Sequence, residues 1–423
     1  MTRYIISNPE ASRGEPTRLN GTVKVQGAKN AALPLIAAAV LTDKEAVLTN
    51  CPDITDVENM LKIYSSLGGV TERRGDTVRL RLEYMRSHEI PSGLAGELRS
   101  SVFMLGSVLA RSGKAKVAYP GGCDIGLRPI DIHLKALSEM GVKVSDRYGY
   151  LLCDAADAHG AEVTLDYPSV GATENVMLLA AGIPGKTVIH NAAREPEIED
   201  LGNFLTAMGA EVLGAGTQVI TICGTKERGG VEYRVMPDRI AAGTYLIAAA
   251  ANGGSVTLKD VRPEHIFSLI GKLRFAGAEI DLYSDSVTIS ASGRPKAVGV
   301  VETGAYPGFP TDLQAPFSVL AAVSEGSTVI VENIFETRFK HVAELTKMGA
   351  SVKVKGRVAV FEGVKRLTAA KVQAMDLRGG AALITAGLKA NGTTVVENGY
   401  HIERGYVRPE EVFGSLGAYI IKV

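Results

Sequence analysis

Apolar positions along the chain follow one pattern six times over. A helical apolar pattern ends in glycine and runs straight into alternating Val, Ile or Tyr, at Ser-Ser-Leu-Gly68, Ser-Glu-Met-Gly141, Thr-Ala-Met-Gly209, Arg-Phe-Ala-Gly277, Thr-Lys-Met-Gly349 and Gly-Ser-Leu-Gly417. Successive glycines lie 73, 68, 68, 72 and 68 residues apart. Glycine suits the position just past a helix, where the backbone turns left-handed, and the alternation after it has the period of a half-buried strand. Upstream, the copies share a strand that enters a polar loop, as in Glu45-Ala-Val-Leu-Thr-Asn-Cys-Pro, Lys186-Thr-Val-Ile-His-Asn-Ala-Ala and Ser327-Thr-Val-Ile-Val-Glu-Asn. A period of about 70 residues exceeds the roughly 20–50 of solenoid repeats. The pattern therefore predicts six small α/β units, each with two or more strands and two helices, grouped as two domains.

No Pro- or Ser-rich linker divides the chain, so domain boundaries must be short crossings. Two places fit, near Gly27 and near Met236, each beside a charged cluster (Lys29-Asn30 and Asp238-Arg239) that precedes a long apolar helix. The 46 basic residues balance 46 acidic ones, which removes the electrostatic footprint of a nucleic-acid or anionic-membrane binder and leaves anionic ligands to local clusters. The 47 glycines without any Trp point to many turns and close backbone approaches. Cys51, Cys123, Cys153 and Cys223 are far apart, which fits neither a zinc knuckle nor a disulfide framework. The N-terminus lacks a signal-peptide pattern, and the longest apolar stretch, Ala31 to Leu41, is short of the about 20 residues needed to span a bilayer. A cytoplasmic protein without membrane insertion is expected.

Walker A, Gly-x-Gly-x-x-Gly, His-Glu-x-x-His and Gly-x-Ser-x-Gly patterns are absent. What remains are loops at repeat junctions that combine charge with helix starts, where free N–H groups favour anions. Lys29-Asn30 opens one helix, with Asn30 a candidate cap. Cys123 lies in the Gly-rich loop Tyr119-Pro-Gly-Gly-Cys-Asp-Ile-Gly-Leu-Arg, near Arg128 and Asp131, where a thiol can have a lowered pKa. The other three cysteines read as inert thiols. Asp312, Arg338, Asp376, Arg378 and Arg404 occupy junctions of the later copies, and forked guanidiniums at matching positions suit carboxylate or phosphate. Glu195-Pro-Glu197 reads equally as a helix N-terminal cap, and His133 and His401 read as hydrogen-bonding or packing residues without metal-ligand spacing.

Eight ordered motifs carry a resemblance: Gly27-Ala-Lys-Asn-Ala-Ala, Pro120-Gly-Gly-Cys-x-Ile-Gly-x-Arg-Pro-Ile-Asp, Ser169-Val-Gly-Ala-Thr, Ala193-Arg-Glu-Pro-Glu-Ile, Pro237-Asp-Arg-Ile, Phe309-Pro-Thr-Asp-Leu-Gln-Ala, Glu336-x-Arg-Phe-x-His and Tyr400-His-Ile-x-Arg-Gly-Tyr. From about Leu19 to the C-terminus the chain resembles the UDP-N-acetylglucosamine enolpyruvyl transferases. The resemblance implies a two-domain inside-out α/β barrel of six similar units, three per domain. Residues 1–27 plus 237–423 would form the catalytic domain and 28–236 the second, with the active site in the interdomain cleft. An extension of about a dozen residues is expected before the first strand. The implied reaction moves the enolpyruvyl group of phosphoenolpyruvate to the 3′-hydroxyl of UDP-N-acetylglucosamine, releasing phosphate, as the first committed step of peptidoglycan synthesis. It needs no cofactor and no metal.

By position, Asp312 resembles the base for the hydroxyl and Cys123 the loop acid. Lys29, Arg128 and Arg404 resemble the phosphate clamp, with Arg99 in support; Arg338 and Arg378 resemble the holders of the donor carboxylate, and Asp376 a carboxylate orienting them. For the nucleotide sugar the resemblance implies Asn30 and Ile334 at the sugar, Arg128, Pro129, Ile130, Asp131 and Ile132 at uridine, and Ser169, Val170 and Gly171 at the diphosphate, with Arg99 and Asp312 also on this substrate. Tyr167-Pro168 stands where some members carry a Lys. The shikimate-pathway enolpyruvyl transferase shares fold and donor but lacks the Pro-Gly-Gly-Cys loop, and its Gly-Asn-Ala-Gly-Thr signature does not occur here. A silent nucleotide-sugar-binding regulatory paralogue would have no need of Lys29, Cys123, Asp312 and the arginines together. The resemblance also implies that fosfomycin alkylates Cys123. Intact-mass analysis should show one adduct that disappears in Cys123→Asp, and an adduct surviving that substitution would reject the assignment.

Overall fold

A computed structural model describes residues 2–8, 17–93, 102–118, 130–225 and 227–423. Its strands form six open mixed sheets, and the described residues fall into two compact bodies with three sheets each. The terminal body gathers residues within 2–26 and 237–423, and the middle body those within 27–236.

Five sheets share one plan, which follows from the repeat. In the sheet of Gly299–Glu302, Ser327–Val331, Ser351–Lys355 and Val358–Glu362, the first strand lies parallel to the second, with Val300 opposite Val329. The second runs antiparallel to the closing arm of a hairpin, with Thr328 opposite Phe361, and the opening arm pairs on the outside, with Val352 opposite Phe361. That opening arm starts just past the repeat glycine. All six repeat glycines are left-handed, with φ from +87° at Gly141 to +109° at Gly209, so the helix ends and the chain turns into the hairpin at little steric cost. Asn50, Asn191, Asp260 and Asn398 are left-handed at the end of the central strand in four repeats, a conformation that Asn and Asp tolerate best among residues with a Cβ.

The sixth sheet departs from the sequence expectation. Its hairpin arm comes from the N-terminus: Tyr4–Asn8 lies between Ala390–Glu397 and Tyr419–Lys422, with Tyr4 opposite Val396 and Lys422. The segment read as an extension thus contains the first strand, ahead of Leu19–Lys24. Tyr4, Ile6 and Asn8 alternate inward, and burying Tyr4 and Ile6 completes the last repeat with residues from the opposite end of the chain.

Each body is inverted relative to a sheet covered by helices. Arg239–Asn252, Gln314–Val323 and Leu377–Lys389 pack on one another in the terminal body, and Lys29–Ala38, Met104–Ser112 and Val170–Gly182 do so in the middle body. Every residue of Arg239–Asn252 and of Gln314–Val323 is buried, as expected of helices apolar all round. The strands bury alternate residues only, so one sheet face covers the helices and the other meets solvent. Among the described residues no helix is long and apolar enough to cross a membrane.

The two crossings fall at one point of the repeat. Leu19–Lys24 pairs with Gly254–Lys259 in the terminal body, but the inner helix that follows it, Lys29–Ala38, belongs to the middle body. Val231–Arg234 pairs with Glu45–Thr49 in the middle body, and the inner helix after it, Arg239–Asn252, belongs to the terminal body. Gly27 must be glycine for a packing reason, since a Cβ there would lie 1.7 Å from the Asn50 carbonyl oxygen. Gly349, by contrast, is left-handed (φ +88°) with nothing within 4 Å of where a Cβ would stand. Gly349→Ala should cost about 1–2 kcal/mol from backbone conformation, whereas Gly27→Ala meets rigid backbone and should lower the melting temperature much further. Equal losses in thermal unfolding would sink this distinction.

Candidate active site

Three junctions that lead from an edge strand into an inner helix of the terminal body carry an aspartate. Asp238 accepts from the Ile240 and Ala241 N–H groups at 2.8 and 2.9 Å, and Asp376 from those of Arg378 and Gly379 at 2.9 and 2.8 Å. Both are side-chain caps that satisfy otherwise orphaned helix donors. At the third junction the chain first makes a single 3-10 turn, Thr311–Leu313, and neither that turn nor the helix Gln314–Val323 has a side-chain cap. The Asp312 carboxylate instead bridges two arginines: Oδ1 accepts from Arg338 Nη2 at 2.6 Å and Oδ2 from Arg378 Nη2 at 3.0 Å.

Arg338 and Arg378 are both buried, while Asp312 retains a quarter of its side-chain surface. The Arg378 guanidinium stands 5.4 Å from the Tyr406 ring centre and that of Arg338 5.2 Å from Phe335, geometries in which the ring face stabilises the cation. Burial by itself would lower the Arg378 pKa, but the Asp312 carboxylate, with Tyr406, outweighs it and raises the value. Burial in turn raises the pKa of Tyr406 despite Arg378 beside it, and its hydroxyl shares a 2.9 Å hydrogen bond with Thr244 Oγ1. Arg338 Nε and Arg378 Nη1 are buried and make no hydrogen bond within the protein. A donor left in that state costs about 1–3 kcal/mol, so the cluster has donors to offer an anion.

Glu332 ties this cluster together. It is fully buried and accepts from Thr303 Oγ1, Thr311 Oγ1 and the N–H groups of Ile334 and Phe335, at 2.9 to 3.1 Å. One carboxylate thereby joins the turn of Asp312 to the loop that carries Ile334 and leads to Arg338. His341 is buried beside Asp376, and burial pushes its imidazole down to about 4, so it is neutral near pH 7. Arg404 is half-buried, directly after the short helix Tyr400–Glu403.

In the middle body, Lys29 opens its inner helix and pairs with the buried Asp56 at 2.6 Å. Asn30 is not the cap suggested by its sequence position: the N-cap residue is Ala28, without a side-chain bond, because the helix starts two residues earlier than that reading requires. Ser169 does cap its helix, its Oγ accepting from Ala172 N at 3.4 Å, and Val170 and Gly171 form the first turn, where N–H groups lack helical acceptors. A Cβ on Gly171 would come within 2.8 Å of both His133 and Phe103. His133 hydrogen-bonds Asn175 at 2.9 Å, fastening the helix Asp131–Glu139, which Asp131 and Ile132 open after the buried Ile130. Glu195 stands at the N-cap of Pro196–Ala207 without making a cap bond, so that reading is also corrected, while Glu197 is buried in the first turn. Near both, burial raises the Glu174 pKa well above the usual carboxyl value, and the two neighbouring glutamates add to it.

Cys123, Arg99, Arg128 and Pro129 lie outside the described residues. Cys51 and Cys153 are buried, which pushes their thiols up to about 12 and about 11; Cys223 is half-buried. Among the described residues no group of three His, Cys, Asp or Glu could hold a metal ion. The structure thus brings Asp312, Arg338 and Arg378 into contact and sets Asp376 on the backbone beside them. Sequence reading missed Asp56 and Glu332. Nothing in their local sequence marks them, since both act through partners brought near by folding.

Known proteins are similar to this chain along nearly its whole length. Residues 14–413 match the family described as EPSP synthase (3-phosphoshikimate 1-carboxyvinyltransferase). UDP-N-acetylglucosamine 1-carboxyvinyltransferase 2 of Caldanaerobacter subterraneus subsp. tengcongensis is 48% identical, over 96% of this chain and 97% of its own. The enzyme of that name from Carboxydothermus hydrogenoformans is 47% identical over the full length of both. Among solved structures, the enolpyruvyl transferase NikO from Streptomyces tendae superposes with a TM-score of 0.88 at 24% identity, covering 100% of this chain and 99% of that one. EPSP synthase from Acinetobacter baumannii reaches 0.75 at 18% over the whole of both chains. At those identities the structures speak for the fold, and the near-full-length relatives place the family: the chain belongs to the UDP-N-acetylglucosamine 1-carboxyvinyltransferases among the enolpyruvyl transferases.

Proposed function

We propose that this protein transfers the enolpyruvyl group of phosphoenolpyruvate to the 3′-hydroxyl of UDP-N-acetylglucosamine, releasing phosphate, in the cytoplasm and at the entry to peptidoglycan synthesis. The observation that carries the reading is 48% identity over nearly the whole length of a relative bearing that name. The Asp312–Arg338–Arg378 cluster supports it chemically.

The reaction adds the sugar oxygen to C2 of the enol and a proton to C3, then expels phosphate as a proton leaves C3. A base must take the hydroxyl proton, and an acid must supply C3. Asp312 is the base in this reading, and Cys123 and Lys29 are the candidates for the acid. Arg338 and Arg378 hold the donor carboxylate, and Lys29, Arg128 and Arg404 the phosphate, with Arg99 in support and Asp376 fixing the start of the Arg378 helix. Asn30 and Ile334 serve the sugar, the Arg128–Ile132 stretch uridine, and Ser169 to Gly171 the diphosphate. Cationic donors fixed in advance stabilise charge without reorganising during the reaction.

Asp312 bridges both arginines and offsets one of their two charges, so the cluster keeps a net positive charge for an anion. The donor carboxylate can take over the same two guanidiniums in bidentate fashion. Asp312 then loses both cationic partners and is free to face the acceptor hydroxyl. Donor binding thereby prepares the base for the acceptor hydroxyl.

Phosphate release with phosphoenolpyruvate and UDP-N-acetylglucosamine, compared with shikimate 3-phosphate as acceptor, tests the proposal. Release with the nucleotide sugar alone is expected, and silence with it would overturn the reading. Asp312→Asn should lower kcat by about a hundredfold or more, the usual worth of a general base. Its KM for phosphoenolpyruvate should stay level or fall, because the arginines lose their internal competitor; undiminished turnover would remove Asp312 as the base.

A further inference from the structure

Gln26 is the last residue of the terminal body before the chain crosses at Gly27, and neither the reaction nor the fold explains its side chain. Its backbone is held where it stands: the neighbouring Val25 N–H donates to Lys259 O at 2.9 Å, and the Gln26 carbonyl accepts from Asp238 N at 2.9 Å. The side-chain amide then reaches the stretch Arg404–Val407, 379 residues away. Nε2 donates to the Gly405 carbonyl at 3.0 Å and Oε1 accepts from Val407 N–H at 2.8 Å. One partner can only accept and the other only donate, so the amide orientation is determined. The half-buried side chain grips the backbone on both sides of Tyr406.

This strap is built to transmit position. A Cβ on Gly405 would lie 2.7 Å from Leu377 Cδ2, so the strap rests directly on the first residue of the inner helix that carries Arg378. Tyr406 is buried, bonded to Thr244 at 2.9 Å, and presents its ring to Arg378. Arg378 in turn holds Asp312. Arg404 begins the strap. An unbroken series of contacts therefore runs from Gln26 through the Gly405 and Val407 peptides and Tyr406 to Arg378 and Asp312, all within the terminal body.

We infer that Gln26 is a positioning residue of the donor site, its amide setting the strap that begins at Arg404 and holds Tyr406 against Arg378. The inference rests on the functional reading above, because it takes Arg404 and Arg378 as ligands of phosphoenolpyruvate. Gln26 touches no reacting atom; it acts through the backbone it clamps.

Gln26→Met keeps the length and volume of the side chain and removes both hydrogen bonds. Amide hydrogen exchange without substrate should show the Val407 N–H exchanging about tenfold faster or more, on the scale of one or two lost hydrogen bonds. KM for phosphoenolpyruvate should rise about tenfold, while KM for UDP-N-acetylglucosamine and the melting temperature stay near wild type. Gln26→Glu keeps the acceptor for Val407 and loses the donor to Gly405, so its KM for phosphoenolpyruvate should fall between the two, and it decides the matter if the Met variant does not fold. Unchanged exchange at Val407, or KM rising equally for both substrates, would overturn the inference. The exchange experiment needs no turnover, so a wild-type enzyme silent in phosphate release would defeat the functional reading and leave the clamp itself to be judged by exchange alone.

Discussion

Burial of the inner helices is the constraint on which the rest of the structure depends. Arg239–Asn252 and Gln314–Val323 have no solvent-facing side, and Leu377–Lys389 nearly none. A helix enclosed in this way can hold along its length only polar groups that find a partner inside the protein, as Thr244, Ser318 and Thr385 do with the preceding turn, because an unpaired polar side chain there would be desolvated without compensation. Chemistry is thereby driven to the N-terminal junctions, where the backbone itself offers donors. The candidate residues Lys29, Asp312, Asp376, Arg378, Ser169 and Gly171 all stand at such starts.

Repetition supplies equivalent junctions, and function can arise where one of them breaks the pattern. Asp238 and Asp376 hold backbone N–H groups, as an aspartate before a helix ordinarily does. A single 3-10 turn displaces Asp312 from that duty and turns its carboxylate to two arginines from different repeats. Glu332 secures the turn by binding Thr311 on one side and the Ile334–Phe335 backbone on the other. The difference between a structural cap and a candidate base is thus one local change of helix type, held in place by a buried carboxylate that never needs to meet substrate.

Local signals were legible wherever one residue acts on its own neighbours. The repeat glycines announced left-handed helix ends, and all six are left-handed. Signals failed where the decisive partner is distant or the boundary shifts. Asn30 was two residues too late to cap, Glu195 stands at a cap position without making the bond, and Tyr4–Asn8 could be recognised as a strand of the last sheet only once Ala390–Glu397 and Tyr419–Lys422 were beside it. Short strands have no stability apart from their neighbours, so a five-residue strand at a chain end carries little local information.

The sequence alone determined the six-fold α/β repeat and the junctions at which charged residues collect, because periodicity and left-handed glycines are properties of the chain itself. Tertiary structure alone decided that Lys29 pairs with Asp56, that Asp312 bridges Arg338 and Arg378, and that Gln26 clamps a strap nearly four hundred residues away. Each of those contacts needs two groups desolvated side by side at hydrogen-bond distance. That condition is met only when the inner helices are packed and the sheets have closed over them.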